Sequence, residues 1–134
     1  MALTIQPEPA HPVVSLVING QVIASSEASV AAGGQATLDS DQISSGKTGK
    51  LLEIIVSSSI PFKVVLQTVL NGVATSRITW FAFSGAWDWK SPAKNLIQVA
   101  QSATAGFDGF RVVIENLDLD RAADVYSTAI YDEE

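Results

Sequence analysis

The feature that most constrains this chain is a period-two alternation of apolar and polar residues, broken by short turns. Its clearest instance runs over residues 62–70 and 73–83, on either side of Asn71-Gly72. Asn-Gly accepts the positive φ angles of a two-residue hairpin turn, so this spacing predicts that Leu70 pairs with Val73 and Leu66 with Arg77. A second Asn-Gly near the N-terminus predicts another hairpin. The pattern therefore indicates antiparallel sheet.

Further strands are predicted at 50–58, 110–116 and 124–131. Residues 95–101 are ambiguous because Ser91-Pro92 could begin a helix, but their β-branched content favours a strand. The connection at 117–123 could hold a short helical turn. Roughly eight to ten short strands without a long helix predict an all-β fold, a single antiparallel β-sandwich of jelly-roll type.

The chain divides into an arm and one domain. Its 134 residues suit a single domain, which we place at residues 13–134. Residues 1–12 contain three prolines, which prevent helix and favour an extended arm. Within the arm Leu3 and Ile5 alternate with Thr4 and Gln6. This short strand pattern is either a free tail or a segment that adds to the edge of another sheet.

Charge and composition exclude several classes of function. Residues 1–107 balance acids against bases, so the whole net charge of −6 lies in residues 108–134. An acidic chain argues against nucleic-acid binding, because phosphate groups are bound through clustered lysines and arginines. The acidic C-terminal segment either is simply solvated or binds a basic surface of a partner. No apolar run could span a membrane, and no secretory signal is visible. With no cysteine and His11 as the single histidine, we expect no enzyme activity and no cofactor.

Candidate chemical motifs are weak. Gly46-Lys47-Thr48 resembles the end of a phosphate-binding loop, but Asp41 stands where that loop needs glycine. The carboxylates of Glu53, Asp88 and Glu115 could meet in a cleft, although each could equally face solvent or a lysine. An oxygen-rich run that could hold Ca²⁺ lacks the glycine and the terminal glutamate of an EF-hand loop, and Asx turns would explain it without metal. That run comprises Asn116, Asp118, Asp120 and Asp124.

All three tryptophans, Trp80, Trp87 and Trp89, fall within eleven residues. If this segment is extended, Trp87 and Trp89 point to one side and Asp88 to the other. Three interpretations remain open: the rings close one end of the core, anchor a protein interface, or stack on a sugar. The neighbouring Gly85 and Pro92 favour an aromatic loop, which suits the last two.

In overall character the chain resembles capsid decoration proteins of tailed viruses. The residues behind the resemblance are the arm, the Asn-Gly hairpins and the closing strands at 110–116 and 124–131. The resemblance implies a homotrimer on the outer capsid surface of a virion, made in the host cytoplasm and bound to the major capsid protein. It also implies that Leu3, Thr4, Ile5 and Gln6 add a strand to that protein. The alternative is a carbohydrate-binding module or receptor-binding tip that uses Trp87 and Trp89.

Overall fold

The computed structural model describes the backbone of residues 14–18 and the whole of residues 21–92, 97–101 and 106–134. The predicted arm therefore lies outside the described residues. The described residues contain ten strands: β1 (Val14–Ile18), β2 (Gln21–Val30), β3 (Gln35–Asp39), β4 (Thr48–Ser58), β5 (Phe62–Leu70), β6 (Val73–Ala82), β7 (Gly85–Lys90), β8 (Gln98–Ala100), β9 (Gly109–Asn116) and β10 (Ala123–Glu133). Among these residues, no helix is long and apolar enough to cross a membrane.

The strands form two antiparallel sheets. Sheet A has the order β1-β2-β10-β4-β7, with β8 also paired to β4, and sheet B has the order β3-β9-β5-β6. Neighbours in each sheet are mostly distant in sequence, as expected where a chain crosses repeatedly between the layers of a sandwich. The predicted fold class, an all-β antiparallel sandwich of jelly-roll type, is confirmed.

The core lies between the sheets and follows the alternation of the sequence. On β5 the side chains of Phe62, Val64 and Leu66 are fully buried, while Lys63 and Val65 between them face outward. On β10 Val125, Ala129 and Tyr131 are buried in the same way. Burial of each large apolar side chain contributes about 1.5–3 kcal/mol, so the inward faces supply most of the driving force for folding.

The central hairpin follows the predicted register only near its turn. Leu70 pairs with Val73 and Thr68 with Thr75, as predicted, but Leu66 pairs with Ile78 and Val64 with Trp80. The prediction that Leu66 pairs with Arg77 is therefore wrong. Arg77 forms a bulge that shifts the remaining pairs by one residue, which places Ile78 and Trp80 opposite buried residues of β5.

The tip of this hairpin is held by the segment before β9. Asn71 and Gly72 have the positive φ angles that the turn requires, 52° and 80°. The buried Asp108 carboxylate accepts a hydrogen bond from the Asn71 backbone N–H at 2.6 Å. The Gly72 N–H donates to the Phe107 carbonyl at 2.8 Å. These bonds fix the turn end of β6, the edge strand of sheet B.

Two ambiguous segments are resolved. The strand favoured at 95–101 is present as β8 over Gln98–Ala100, and residues 93–96 lie outside the described part. The helical turn considered at 117–123 is absent there: the chain bends at residues 119–121, and Ala123 already begins β10. Hydrogen bonds from side chains to the backbone organise the bends, and they compete with helical hydrogen bonding.

Candidate functional site

The three tryptophans lie together at the flank where β6 of sheet B faces β7 of sheet A. Trp80 is on β6, and its ring centroid lies 4.9 Å from that of Trp87 and 5.3 Å from that of Trp89, both on β7. The ring planes are tilted by 53° and 48°. Tilted pairs at this separation are favourable aromatic contacts, so the rings join the two sheets.

Strand pairing explains why the rings face inward. Trp80 is opposite Val64, Trp87 opposite Val56 and Trp89 opposite Ile54. All three partners are fully buried, and directly paired residues point to the same side of a sheet. The tryptophans are half-buried and pack against the core. This geometry supports the interpretation that they close one end of the core.

The expectation of an aromatic loop is not met, because the tryptophans lie on strands. Only Phe83 and Ser84 connect β6 to β7. Gly85 adopts a φ of 114°, a backbone conformation that other residues rarely reach, and this lets the chain turn directly from one sheet to the other. Glycine thus marked a tight turn between two strands rather than a long loop.

Exposed apolar side chains lie along both faces of β6. Val73 is 67% exposed, Phe81 72% and Phe83, just beyond the strand, 90%. Among the described strands, β6 pairs with β5 alone, so its other edge is unpaired within the described residues. Val73 lies on the tryptophan side of the strand, because its partner Leu70 shares a face with Leu66, whereas Phe81 points away. We call Phe81 and Phe83 the β6 patch. The sequence analysis did not identify this patch, although the alternation of side chains along a strand predicts that Phe81 and Phe83 point to the other face from Trp80.

The charge of this region is distinctive. No acidic residue occurs between Glu53 and Asp88, a stretch that contains Lys63 and Arg77. Lys63 is 2.8 Å from Glu115, which neutralises it. The Arg77 Nε donates to the Thr68 hydroxyl at 2.8 Å, and no carboxylate of the described residues forms an ion pair with Arg77. The strands β5 and β6 therefore carry no acid, and the Arg77 side chain lies on the tryptophan side of β6 with Thr68.

The outer face of sheet A has the opposite charge. On this face, paired residues form three outward-facing rows, each of which crosses β2, β10, β4 and β7 in that order. The first row is Ile23, Ile130, Glu53 and Lys90, the second is Ser25, Thr128, Ile55 and Asp88, and the third is Glu27, Tyr126, Ser57 and Ala86. Tyr126 is 50% exposed and Ile55 38%. Outward faces of such sheets are usually polar, so this apolar centre with acids around it is unusual. We call Ile23, Ile55, Tyr126, Ile130, Glu27, Glu53, Asp88 and Asp124 the acidic face; Lys90, the pair partner of Glu53, lies on the same face and partly offsets the acids.

Two of the three candidate carboxylates meet on this face. Glu53 shares a hydrogen bond with Asp88, and this bond is the main cause that raises the pKa of Glu53; partial burial and the charge of Asp88 add to it. Glu115 lies on β9 of sheet B and pairs with Lys63. The structure therefore does not bring the three carboxylates together.

The candidate calcium residues form a hydrogen-bonded loop. The Asp118 carboxylate accepts bonds from the backbone N–H groups of Asp120 and Arg121 and is 2.7 Å from the Arg121 guanidinium. The bond from Asp120 is the main cause that lowers the pKa of Asp118. Asp124 lies on β10, where its N–H bonds to Ser59. Within the described ranges, no three acids or histidines are grouped to hold a metal.

Asn116 binds this loop to both sheets. Its buried Nδ2 donates to the carbonyls of Val30, Ala31 and Arg121, at 3.3, 3.2 and 2.8 Å. Its Oδ1 accepts from the Asp118 N–H at 2.8 Å. Asn116 is thus part of the scaffold, which accounts for it without a bound cation.

The remaining candidates, Leu3, Thr4, Ile5 and Gln6, lie outside the described residues, so their role in partner binding stays a prediction.

No protein-family model matches the chain, and no curated protein does. Among solved structures, the crystal structure of PirA is 15% identical, covers 80% of this chain and 92% of its own, and gives a TM-score of 0.48. The N-terminal cellulose-binding domain of Cellulomonas fimi β-1,4-glucanase C is 14% identical over 89% of this chain and 79% of its own (TM-score 0.36). The structure of the infectious bursal disease virus Gx strain is 14% identical, and the match covers 98% of this chain and 37% of the viral chain (TM-score 0.37).

These likenesses are distant, and none gives a functional residue for this chain. The structural neighbours include carbohydrate-binding modules and a protein of a virus particle.

Proposed function

We propose that this protein is a structural protein of a virus particle, a capsid decoration protein that binds the outer shell as an oligomer and stabilises it. One observation carries the proposal: a well-packed sandwich leaves Phe81 and Phe83 exposed together at the end of β6, whose second edge is unpaired among the described strands. Exposed apolar side chains gathered on one surface are typical of protein docking sites. The candidate carboxylates form no cleft, and docking requires no bond-breaking chemistry.

The arm is the proposed contact with the shell. An extended segment that adds to a sheet edge gains affinity from backbone hydrogen bonds and specificity from alternate side chains. Leu3 and Ile5 would fill pockets on the major capsid protein, while Thr4 and Gln6 would face away. Many copies on one particle would convert a modest affinity at each site into strong retention.

The arm can be tested with two matched double variants. The variant L3D/I5D places charges on the side that enters the pockets, and T4D/Q6D places the same charges on the other side. We expect L3D/I5D to bind about a hundredfold more weakly, because two buried apolar side chains are lost, and T4D/Q6D to bind much as the unmodified protein does. Binding is measured by co-sedimentation with empty capsids of the major capsid protein encoded nearest this gene.

Thermal unfolding provides the control, since neither variant alters the sandwich and both should keep the midpoint of the unmodified protein. If L3D/I5D still binds capsids like T4D/Q6D, the arm is not the contact. If the unmodified protein itself fails to bind capsids, the decoration function is wrong.

The sugar-binding alternative predicted for Trp87 and Trp89 receives less support from the geometry. A sugar stacks on an open ring face, whereas both rings pack against Trp80 and the core. A glycan panel that leaves tryptophan fluorescence unchanged would agree with this reading.

A further inference from the structure

We propose that the outer face of sheet A binds an arginine side chain of a partner protein, at a site formed by Tyr126, Glu27 and Asp124. We call these three residues the Tyr126 site. The inference goes beyond the proposed function, because it names the chemistry of a contact and does not depend on the partner being a capsid protein.

An exposed aromatic ring is the centre of this site. Tyr126 points outward from β10 and is half exposed. In its row it lies between Glu27 on β2 and Ser57 on β4, and its outward neighbours along β10 are Asp124 and Thr128. No ring among the described residues packs against Tyr126. The phenol is therefore available to a ligand from solvent.

Two carboxylates accompany the ring. Glu27 is the direct strand partner of Tyr126, so their Cβ atoms lie about 4.5–5.5 Å apart. Asp124 is two residues along β10, about 7 Å away at the usual rise of a strand. Neither carboxylate forms an ion pair or a side-chain hydrogen bond within the described residues. Other acids neutralise four of the cations, namely Lys50, Lys63, Arg111 and Arg121.

The lysine on this face does not neutralise the site. Lys90 lies beside Glu53 in the first row, whereas Tyr126 is in the third row. Two row spacings and two strand spacings separate Lys90 from Tyr126, a distance of about 16 Å. This distance is twice the screening length of about 8 Å at physiological ionic strength. The Tyr126 site therefore presents negative charge alone.

An arginine side chain is complementary to this combination. Its planar guanidinium stacks on an aromatic ring, and its five N–H donors can serve two carboxylates at once. A lysine ammonium is a compact charge without a planar face, so it gains less from the ring. A neutral sugar would stack on the ring but leave both carboxylates without a counter-charge.

The surroundings favour a protein over a small molecule as the source of the guanidinium. The site lies on an open sheet face, whereas small molecules bind mainly in concave cavities. Ile55 is diagonal to Tyr126, and Ala86 lies in the same row; both are exposed and extend the apolar surface. Tyrosine and arginine are enriched at the centres of protein interfaces, where neighbouring contacts exclude water.

The test is a titration followed by NMR, which detects dissociation constants of about 1 mM. The full chain is titrated with blocked peptides of the sequence Ser-X-Ser-Leu-Ser, where X is arginine, lysine or citrulline. Citrulline keeps the planar shape of arginine and removes its charge. We expect the arginine peptide to shift the ring signals of Tyr126 and the amides of Glu27 and Asp124. The lysine peptide should bind about threefold more weakly and the citrulline peptide about tenfold more weakly.

Two variants separate the ring from the charges. Tyr126→Thr keeps the charge and the strand propensity of the site, and it should weaken the arginine peptide about fivefold and abolish its advantage over lysine. E27Q/D124N should make the arginine and citrulline peptides bind alike. D120N/D132N is the matched control, since it removes two charges outside the site: Asp120 is in the exposed loop, and Asp132 is six residues from Tyr126 on β10. It should leave the preference for arginine intact.

Three results would overturn the inference: an arginine peptide that shifts no signal of the Tyr126 site at about 10 mM, a citrulline peptide that binds equally well, or equal losses in D120N/D132N and E27Q/D124N. The last would show that net charge alone attracts the peptide. Far-UV circular dichroism confirms that each variant is folded. The proposed function fails separately, because a chain that binds the arginine peptide but no capsid would keep this inference and remove the decoration role.

Discussion

Tyr131 shows how one residue reports on the packing of the whole core. Its ring is fully buried and lies 5.5 Å from that of Phe110, and its hydroxyl donates to the Asp41 carbonyl at 3.3 Å. Burial disfavours the phenolate and raises the pKa of Tyr131 to about 12. The buried hydroxyl of Tyr131 lowers the stability of the fold little, because it has a hydrogen-bond partner.

We expect Tyr131→Phe to lower stability at neutral pH by about 1 kcal/mol, because the Asp41 carbonyl loses one of its two hydrogen bonds and keeps only the one from the Ser40 hydroxyl. The midpoint of thermal unfolding should fall by about 4 °C. Above pH 10 the phenol of Tyr131 loses its proton in the unfolded chain, whereas the native state retains that proton up to about pH 12. Ionisation of Tyr131 therefore favours the unfolded state and lowers the free energy of unfolding of the unmodified protein as the pH rises from about 10 to about 12. The difference between the two proteins should therefore shrink with pH. Parallel pH curves would contradict this account.

At the scale of single strands, β6 has one face packed on the core and one face exposed. Trp80 points toward the core and touches Trp87 and Trp89, whereas Phe81 points away and is largely exposed. The Arg77 bulge sets this arrangement, since without it the inward positions of β6 would not face Val64 and Leu66.

We expect Trp80→Ala to destabilise the sandwich by about 3 kcal/mol, because it leaves a cavity between the two sheets. Phe81→Ala on the same strand is the matched control and should change stability by less than about 0.5 kcal/mol. Denaturant unfolding followed by circular dichroism measures both. Equal losses would mean that the tryptophans do not close the core.

The hairpin also shows where local patterns stop being informative. The turn and the first four pairs from Leu70 to Gln67 follow from Asn71-Gly72, because a two-residue turn fixes register nearby. The bulge at Arg77 has no local signal. It depends on which β6 residues can be buried against the opposite sheet, and β7 of that sheet follows later in the chain.

On the scale of the whole molecule, Asn116 links the two sheets. It ends β9 of sheet B, and its amide bonds the carbonyls of Val30 and Ala31, where β2 of sheet A ends. The same side chain orders the loop that leads into β10. A fully satisfied buried amide of this kind specifies one arrangement of the two layers.

We expect Asn116→Ala to destabilise the whole domain by about 2–4 kcal/mol, since several buried groups lose their partners at once. Tryptophan fluorescence, which reports the β6–β7 flank, and far-UV circular dichroism should shift together. Asp118→Ala removes bonds only within the exposed loop and should cost less than about 1 kcal/mol. A loss confined to one probe would show that Asn116 acts only locally.

The sequence by itself determined the strands, most of their faces and the all-β class, because alternation and Asn-Gly turns are local properties of the chain. It also argued against thiolate chemistry and histidine catalysis, since those side chains are absent or single. It identified the tryptophan cluster but placed it in a loop, because Gly85 signals a turn without giving the turn's length.

Only the tertiary structure decided which strands became neighbours. The pairing of β10 with β2 and β4 joins residues far apart in the chain, and this pairing assembles Ile23, Ile55 and Tyr126 into one face. The same holds for Trp80 against Trp87 and Trp89, and for the separation of Glu115 from Glu53 and Asp88. Such groupings follow from the shared burial of two sheets, a cooperative property that no single segment encodes.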